Sequence, residues 1–216
     1  MIELQKRLLT SILLLMIIYF SLNNSIVLFL LFVSLNYLSL CEFNNLLKNI
    51  FKKNQFYFFS FLACVIYLSI FSLIIWNFLI PLSNKSIISL IFIISICIFT
   101  DIGGFVFGKL LGGKKLTQIS PNKTYSGVIG SFFFSIISGH YFYIFFKMYL
   151  IFEINYLIFI IIISLISQFG DLMISFLKRK AKIKDTGTIL PGHGGILDRI
   201  DCVLIALPFG IVLISI

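Results

Sequence analysis

Long apolar runs separated by short polar segments extend along almost the whole chain. Seven runs stand out, and they cover residues 8–22, 25–41, 56–80, 86–107, 126–148, 154–176 and 202–216. Each run is continuously apolar instead of alternating with a period of two, which argues against strands, and an open sheet cannot span lipid. Several runs reach the roughly 18–20 residues that cross a bilayer as a helix. The pattern therefore predicts an all-α, polytopic integral membrane protein with about seven transmembrane helices.

The composition supports the same fold class. Of the 216 residues, 60% are hydrophobic, whereas a soluble domain is usually about 45–50% apolar. No internal repeat or low-complexity linker interrupts the pattern, so residues 1–216 are predicted to form a single transmembrane domain. Lys6 and Arg7 precede the first run as in a signal peptide. No cleavage site of small residues follows them, so the first run is expected to remain as an uncleaved helix.

The distribution of charge predicts the topology. The net charge is +9, and a cytosolic N-terminus would put every Lys and Arg except Lys85 and Lys147 on the cytosolic side. This asymmetry follows the positive-inside rule, and anionic lipid head groups attract the same residues. The cations are thus explained without a nucleic-acid partner, and none is expected. The four cysteines are isolated and lack metal-ligand spacing, so we interpret them as packing residues.

Three carboxylates lie close to the longest polar stretch, which runs from residue 175 to residue 201. Asp198 and Asp201 are three residues apart and therefore share one face of a helix, and Asp171 ends the apolar part of the preceding run. Ionisable groups within a span are costly and usually functional. Carboxylates at a membrane edge suit Mg²⁺, so the three aspartates are predicted metal ligands. Asp198 could instead be a helix N-cap, which would leave Asp201 unexplained.

Five lysines and arginines follow the run that carries Asp171. Lys178 and Arg179 come directly at its end and are well placed to bind a phosphate group. Lys180 and Lys182 are more simply interpreted as topology or lipid anchors. The cluster therefore predicts phosphate binding beside the predicted metal site.

Glycine-rich segments form the remaining polar features. Gly194 and Gly195 follow His193, and such glycines allow backbone N–H groups to approach an anionic ligand closely. A tight turn without ligand is the alternative interpretation. A second patch comprises D-I-G-G-F-V-F-G-K at 101–109 and I-S-P-N-K-T-Y-S-G at 119–127. Together these segments predict a second cytosolic loop rich in glycine and lysine.

The stretch from Ser175 to Asp201 resembles the signature of the phosphatidate cytidylyltransferase (CDP-diacylglycerol synthase) family. Every fixed position of that signature is matched here, by Ser175, Lys178, Arg179, Lys184, Asp185, Gly187, Pro191, His193, Gly194, Gly195, Asp198, Arg199 and Asp201. The loop S-P-N-K-T-Y-S-G resembles the family's S-P-K-K-T-x-E-G, with Ser126 where an acid is usual. The segment D-I-G-G-F-V-F-G-K resembles D-x-x-A-Y-x-x-G-K/R, and Cys41-Glu42-Phe43 resembles an early Glu-aromatic pair. The likeness covers most of the chain, which is shorter than typical members, mainly in its first half.

The resemblance implies an enzyme and its substrates. Members transfer CMP from CTP to phosphatidate, giving CDP-diacylglycerol and diphosphate, with Mg²⁺ as cofactor. The resemblance therefore implies CTP, phosphatidate and membrane lipids as partners, and a bacterial inner (plasma) membrane location with the active site facing the cytosol. A second metal ion and a homodimer are left open.

The resemblance also implies roles for individual residues. The metal ligands would be Asp171, Asp198 and Asp201. The catalytic residues would be Lys178, Arg179, Lys184, Asp185, His193 and Arg199. The substrate-binding residues would be Lys123, Ser175, Gly194 and Gly195.

The chemistry implied by the resemblance needs no general base. The phosphate monoester of phosphatidate has a second pKa near 6 and is already largely ionised at neutral pH. His193 is therefore expected to bind a phosphate instead of transferring a proton. Two alternatives stay open: a CTP-dependent polyprenol kinase, which would release CDP, and a transporter. A transporter would carry charges near the bilayer midplane and paired broken helices, whereas the polar groups here lie at one face.

Overall fold

Seven helices account for nearly all of the backbone in the computed structural model, which describes residues 2–52, 54–80, 82–117, 120, 123–150, 154–189 and 194–215. Within these ranges no extended strand forms, and Lys115 and Thr124 are joined by an isolated bridge. Each predicted apolar run corresponds to one helix, which confirms the all-α prediction. The helices are α1 Ile2–Asn23, α2 Ser25–Phe51, α3 Gln55–Leu79, α4 Asn84–Leu111, α5 Tyr125–Phe146, α6 Tyr156–Lys180 and α7 Leu197–Ser215.

The helices have the lengths and surfaces of a membrane protein. Helices α2 to α6 are each long and apolar enough to cross a bilayer, and α1 contains a shorter apolar stretch, Leu9–Asn23. Large hydrophobic side chains are exposed along the helices, for example Leu15 at 67% and Phe59 at 67%. Such surfaces suit lipid and not water. Polytopic membrane character is thus confirmed, and membrane crossing by α1 and α7 stays a prediction.

Polar side chains define where helices begin. Asn24 separates α1 from α2, and its side-chain oxygen accepts a hydrogen bond from the Ile26 amide at 2.9 Å. At the start of α5 the Thr124 hydroxyl accepts a hydrogen bond from the Gly127 amide at 3.1 Å. Each side chain satisfies an amide that has no partner within its helix.

Two compact units can be distinguished in the chain. Unit 1 comprises Met1–Leu82 and Leu177–Ile200, and unit 2 comprises Ser83–Phe176 and Asp201–Ile216. Each unit contains part of the sequence signature. The single-domain organisation stays a prediction.

Helix α2 is the centre of unit 1 and packs against both α1 and α3. The Asn36 amide donates to the Ser72 hydroxyl at 2.7 Å, and the Tyr57 hydroxyl donates to the Asn44 side-chain oxygen at 2.5 Å. Helix α2 runs ten residues beyond the predicted end of its apolar run at residue 41, because its polar end is also packed. The buried residues of this extension are Glu42, Phe43, Leu46 and Leu47.

Close packing of α4 against α5 organises unit 2. A Cβ atom added to Gly103 would lie 2.3 Å from the Gly130 carbonyl oxygen, so the two backbones are in contact. Such contacts are typical of small residues between membrane helices. The Ser131 hydroxyl donates to the Thr100 carbonyl at 2.8 Å, and the Thr100 hydroxyl donates to Ser164 on α6 at 3.0 Å. These contacts hold α4, α5 and α6 together beside a cavity.

Candidate functional site

A group of polar residues in unit 1 is built around Asp198, and we call it the loop cluster: Glu42, Lys178, Thr186, Gly195 and Asp198. The Lys178 ammonium lies 2.7 Å from Asp198 Oδ1, and the two side chains are 17% and 9% exposed. Asp198 Oδ2 accepts hydrogen bonds from the Thr186 amide at 2.8 Å, the Thr186 hydroxyl at 3.0 Å and the Gly195 amide at 3.3 Å. Thr186 and Gly195, which both lie in the loop between α6 and α7, therefore contact this one carboxylate.

The charge of Asp198 is stabilised in this environment. Burial alone would raise the pKa of Asp198, but the hydrogen bond from Lys178 and the Thr186 amide outweigh it, so the pKa is lowered. Asp198 is thus an anion near neutral pH. It can serve as an electrostatic anchor for Lys178 or as a ligand for a cation that replaces Lys178.

Glu42, not Asp198, satisfies the first amides of α7. This helix begins at Leu197, so Asp198 lies inside its first turn, and the N-cap alternative is not the arrangement observed. Glu42 is 1% exposed, and its carboxylate accepts from the Ile196 amide at 2.8 Å and the Leu197 amide at 2.9 Å. Glu42 was absent from the candidate residues, although a carboxylate ending an apolar run was a signal that could have found it.

The remaining signature residues of unit 1 lie on the surface. Arg179, Lys184 and Arg199 are exposed and thus accessible to a phosphate group, and the Asp185 carboxylate is exposed as well. Gly194 has φ +88°, a left-handed conformation that favours glycine and agrees with a turn at this point. His193 lies outside the described residues. The phosphate-binding roles of these side chains stay predictions.

Unit 2 contains a cavity of about 260 Å³ that combines charged and apolar walls, and we call it the unit 2 cavity. Lys123 and Asp171 form an ion pair at this cavity, with side chains 27% and 24% exposed. The Ser175 hydroxyl, one turn along α6, donates to Asp171 Oδ1 at 3.3 Å. The cavity is lined by Asp101, Gly104, Phe105, Ser120, Lys123, Thr124, Gly127, Val128, Ser131, Gln168 and Asp171.

Asp101 is a second carboxylate of the unit 2 cavity that the candidate residues did not include. It lies on α4, interacts electrostatically with Asp171 and Lys123, and receives a hydrogen bond from the Cys202 thiol. Asp201, on α7, also acts electrostatically on Cys202, and its carboxylate accepts from the Cys202 amide at 2.9 Å. An acid within an apolar run was again the available signal.

Lys123 is oriented by the loop that precedes α5. The Leu116 amide donates to the Lys123 carbonyl at 2.8 Å, which folds the loop back on itself. Ser126 stands where the resembled motif has an acid. Its hydroxyl donates to the Gly112 carbonyl and lies 2.8 Å from the Thr124 hydroxyl. The serine thus closes the loop that carries Lys123.

The predicted metal ligands are compatible with Mg²⁺ in their chemistry. Carboxylate oxygens are the donors that this ion prefers, and it commonly takes only one or two from the protein, with waters and substrate phosphates completing the shell. In the ranges that the structure describes, no three His, Cys, Asp or Glu side chains form a group that could hold a metal ion. Asp101 and Asp171 at the unit 2 cavity fit such a partly substrate-supplied shell. The set Asp171, Asp198 and Asp201 stays a prediction.

Comparison with known proteins identifies related sequences. The model of the cytidylyltransferase family matches residues 2–216. A phosphatidate cytidylyltransferase of Helicobacter pylori (strain ATCC 700392 / 26695) is 41% identical over 127 residues, which cover 54% of this chain and 43% of the relative.

Two staphylococcal proteins of the same name extend this comparison. The protein of Staphylococcus saprophyticus is 37% identical over 157 residues, covering 72% of this chain and 60% of the relative. The protein of Staphylococcus haemolyticus is 45% identical over 113 residues, which cover 50% of this chain and 42% of the relative. The chain spans about half the length of the curated relatives it matches.

Proposed function

The chain belongs to the cytidylyltransferase family, and we propose that it transfers CMP from CTP to phosphatidate, giving CDP-diacylglycerol and diphosphate. The observation that carries this proposal is the ion pair of Lys123 and Asp171 at a cavity between otherwise apolar helices. Ionisable groups are retained in such places for binding or chemistry. The names of the relatives support the choice of substrates.

The proposed reaction is an in-line displacement at phosphorus. A phosphate oxygen of phosphatidate attacks the α-phosphorus of CTP, a new P–O bond forms, and the bond from the α-phosphorus to the bridging oxygen breaks. The bonding electrons leave with diphosphate. Because the attacking phosphate is already ionised near neutral pH, no side chain has to remove a proton. The protein has to bring two anionic substrates together and to balance their charge and that of the leaving diphosphate.

Cationic side chains are proposed to balance that charge. Lys123 at the unit 2 cavity and Lys178 in the loop cluster are each paired with an aspartate, and each can release it for a phosphate oxygen. Arg179, Lys184 and Arg199 are exposed and would bind the outer phosphates. A divalent cation bound by one or two of the predicted ligands Asp171, Asp198 and Asp201, with substrate phosphates completing its shell, would polarise the phosphates. His193 is proposed to donate a hydrogen bond to a phosphate.

An assay with labelled nucleotide tests the function directly. The purified protein would be incubated with phosphatidate, Mg²⁺ and CTP labelled at the α-phosphate. We expect the label in CDP-diacylglycerol and an equal amount of free diphosphate. Transfer of a γ-label to lipid with release of CDP would contradict the proposal and would indicate a lipid kinase. Asp171→Asn protein, prepared identically, is the control against a contaminating host enzyme.

We also propose an inner-membrane location with both polar groups at the cytosolic face, on the basis of the charge asymmetry. Single cysteines introduced at the exposed positions Lys114 and Thr188, with the four native cysteines replaced, should resist an impermeant thiol reagent in intact cells. They should react after the cells are opened. A cysteine at Met148, which is 84% exposed beside α5, should react from outside and serves as the matched control. Labelling of Lys114→Cys or Thr188→Cys from outside would overturn this topology.

A further inference from the structure

Glu42 is a buried carboxylate with three hydrogen-bond donors, and the proposed reaction assigns it no part. Its Oε1 accepts from the Ile196 amide at 2.8 Å, and its Oε2 accepts from the Leu197 amide at 2.9 Å and the Thr186 hydroxyl at 2.6 Å. The side chain is 1% exposed. All three donors belong to the segment 186–197, which contains most of the glycine-rich part of the signature. One side chain of α2 therefore holds both ends of this segment.

Two glycines make room for the Glu42 carboxylate. A Cβ atom on Gly187 would lie 2.7 Å from Glu42 Oε1, and a Cβ atom on Gly195 would lie 2.7 Å from Glu42 Oε2. Both distances are shorter than a van der Waals contact allows. The backbone at Gly187 and Gly195 thus leaves space for a carboxylate, and the two glycines have a packing role besides any approach to a ligand.

Thr186 connects Glu42 to Asp198. Its hydroxyl lies 2.6 Å from Glu42 Oε2 and 3.0 Å from Asp198 Oδ2, and its amide donates to the same Asp198 oxygen at 2.8 Å. A hydroxyl has a single proton, so it donates to one carboxylate at a time. The chain of contacts continues from Asp198 to Lys178. A displacement of Glu42 would therefore change the position of the Asp198 carboxylate.

We propose that Glu42 is a positioning residue that fixes Thr186, Ile196 and Leu197, near the two ends of the segment 186–197, and that, through Thr186, it sets the orientation of Asp198. The inference that this affects turnover rests on the proposed function. The inference that Glu42 holds the segment is independent of the proposed function. Groups that hydrogen-bond to a metal ligand without contacting the metal typically contribute about 10–100-fold to metal affinity or activity. A residue that only stabilises the fold would leave the metal dependence of the surviving activity unchanged.

The test compares four variants of the full-length protein. Glu42→Gln keeps the side-chain volume but replaces one carboxylate oxygen with an NH₂ group. That group would face a donor, either a backbone amide or the Thr186 hydroxyl. Thr186→Val replaces the hydroxyl with a methyl group, whereas Thr186→Ser keeps the hydroxyl and removes the methyl group. Asn44→Ala is the matched control, because Asn44 also lies on α2 and is hydrogen-bonded, but to Tyr57 instead of the segment. The measurements are hydrogen exchange of residues 186–197, binding of Mn²⁺ by electron paramagnetic resonance, and kcat and KM as a function of Mg²⁺ concentration.

Distinct results are expected for the two positions. Glu42→Gln should accelerate amide exchange in the segment, weaken Mn²⁺ binding about 10–100-fold and lower kcat by a similar factor, with partial recovery at high Mg²⁺. Thr186→Val should weaken Mn²⁺ binding while leaving the Ile196 and Leu197 amides protected. Thr186→Ser and Asn44→Ala should resemble the wild-type protein. If Glu42→Gln does not fold, the comparison of Thr186→Val with Thr186→Ser still tests the connection to Asp198.

Other outcomes would overturn the inference. Unchanged Mn²⁺ affinity and Mg²⁺ dependence in Glu42→Gln, together with a lower unfolding temperature, would make Glu42 a stabilising helix cap only. Equal behaviour of Thr186→Val and Thr186→Ser would remove the connection to Asp198. If the wild-type protein forms no CDP-diacylglycerol, the proposed function fails. Exchange and Mn²⁺ binding would then still decide whether Glu42 positions the segment.

Discussion

Replacing Asp171 with asparagine is expected to lower the rate of CDP-diacylglycerol formation by about 10²–10³-fold, the usual loss when one preorganised electrostatic group is removed. Asparagine keeps the shape of the side chain and can still accept the hydrogen bond from Ser175. It removes the charge that pairs with Lys123 and that is proposed to bind the metal ion. The measurement is kcat over a range of Mg²⁺ concentrations in purified, detergent-solubilised protein.

The size of the expected loss in rate distinguishes a catalytic role of Asp171 from a role in stability. Both members of the ion pair are about a quarter exposed, and such pairs typically contribute about 1 kcal/mol or less to stability. A loss of 10²–10³-fold in rate corresponds to about 3–4 kcal/mol in the barrier. An Asp171→Asn protein that unfolds at nearly the wild-type temperature but has lost turnover would thus have lost a catalytic interaction.

Lys123→Gln provides the comparison for Asp171→Asn, because it breaks the same ion pair from the other side. It should raise the KM for CTP and leave the Mg²⁺ concentration at half-maximal rate nearly unchanged, since a lysine can bind phosphate but not the metal ion. If Asp171→Asn retained near wild-type turnover, the proposed role of Asp171 would be wrong. If the rates of Asp171→Asn and Lys123→Gln depended equally on Mg²⁺ concentration, the Lys123–Asp171 ion pair would be a structural contact only.

The helices could be predicted from the sequence because each is a continuous apolar run bounded by polar turns. The end of α2 could not, because its last ten residues are partly polar. Their burial depends on contacts with residues far along the chain. Glu42 is the clearest case, since its partner amide at Ile196 is 154 residues away. Local periodicity contains no information about such a contact.

The candidate site was predictable in its residue types but not in its pairings. The sequence predicts Asp171, Asp198 and several cations near one membrane face, and the resemblance names them individually. It did not indicate that Lys178 would pair with Asp198 across 20 residues, or that Lys123 would pair with Asp171. Asp101 could be identified as an acid in an apolar run and as the first residue of the segment 101–109, but its interactions with Asp171 and Lys123 became known only from the structure.

The glycines between α4 and α5 lead to the second large expected effect. Gly130→Ala should destabilise the protein by about 1–3 kcal/mol, the usual cost of overpacking. An added Cβ atom would lie 2.3 Å from the Cβ of Phe107 and 2.7 Å from the carbonyl oxygen of Gly103. A backbone atom cannot move away as a flexible side chain can, so the two helices must separate.

Gly139→Ala is the matched control for Gly130→Ala, because Gly139 is also a buried glycine of α5. Its added Cβ atom would lie 2.7 Å from Cδ1 and 2.8 Å from Cγ1 of Ile160, and its three nearest atoms are all side-chain atoms of that residue. Alanine favours a helix over glycine by up to about 1 kcal/mol, which offsets a small rearrangement, so this variant should unfold close to the wild-type midpoint. Reversible unfolding of the purified protein in mixed detergent micelles measures both changes in free energy.

Loss of stability in Gly130→Ala should be accompanied by loss of activity, because the same helix pair forms the wall of the unit 2 cavity. Gly104 of α4 and Gly127 of α5 both line the cavity, and a Cβ atom on Gly127 would lie 2.8 Å from the Gly104 carbonyl oxygen. Separation of the helices would widen the cavity and move Lys123, which precedes α5, away from Asp171 on α6. Equal stability and turnover of Gly130→Ala and Gly139→Ala would show that α4 and α5 are not in backbone contact in the membrane protein.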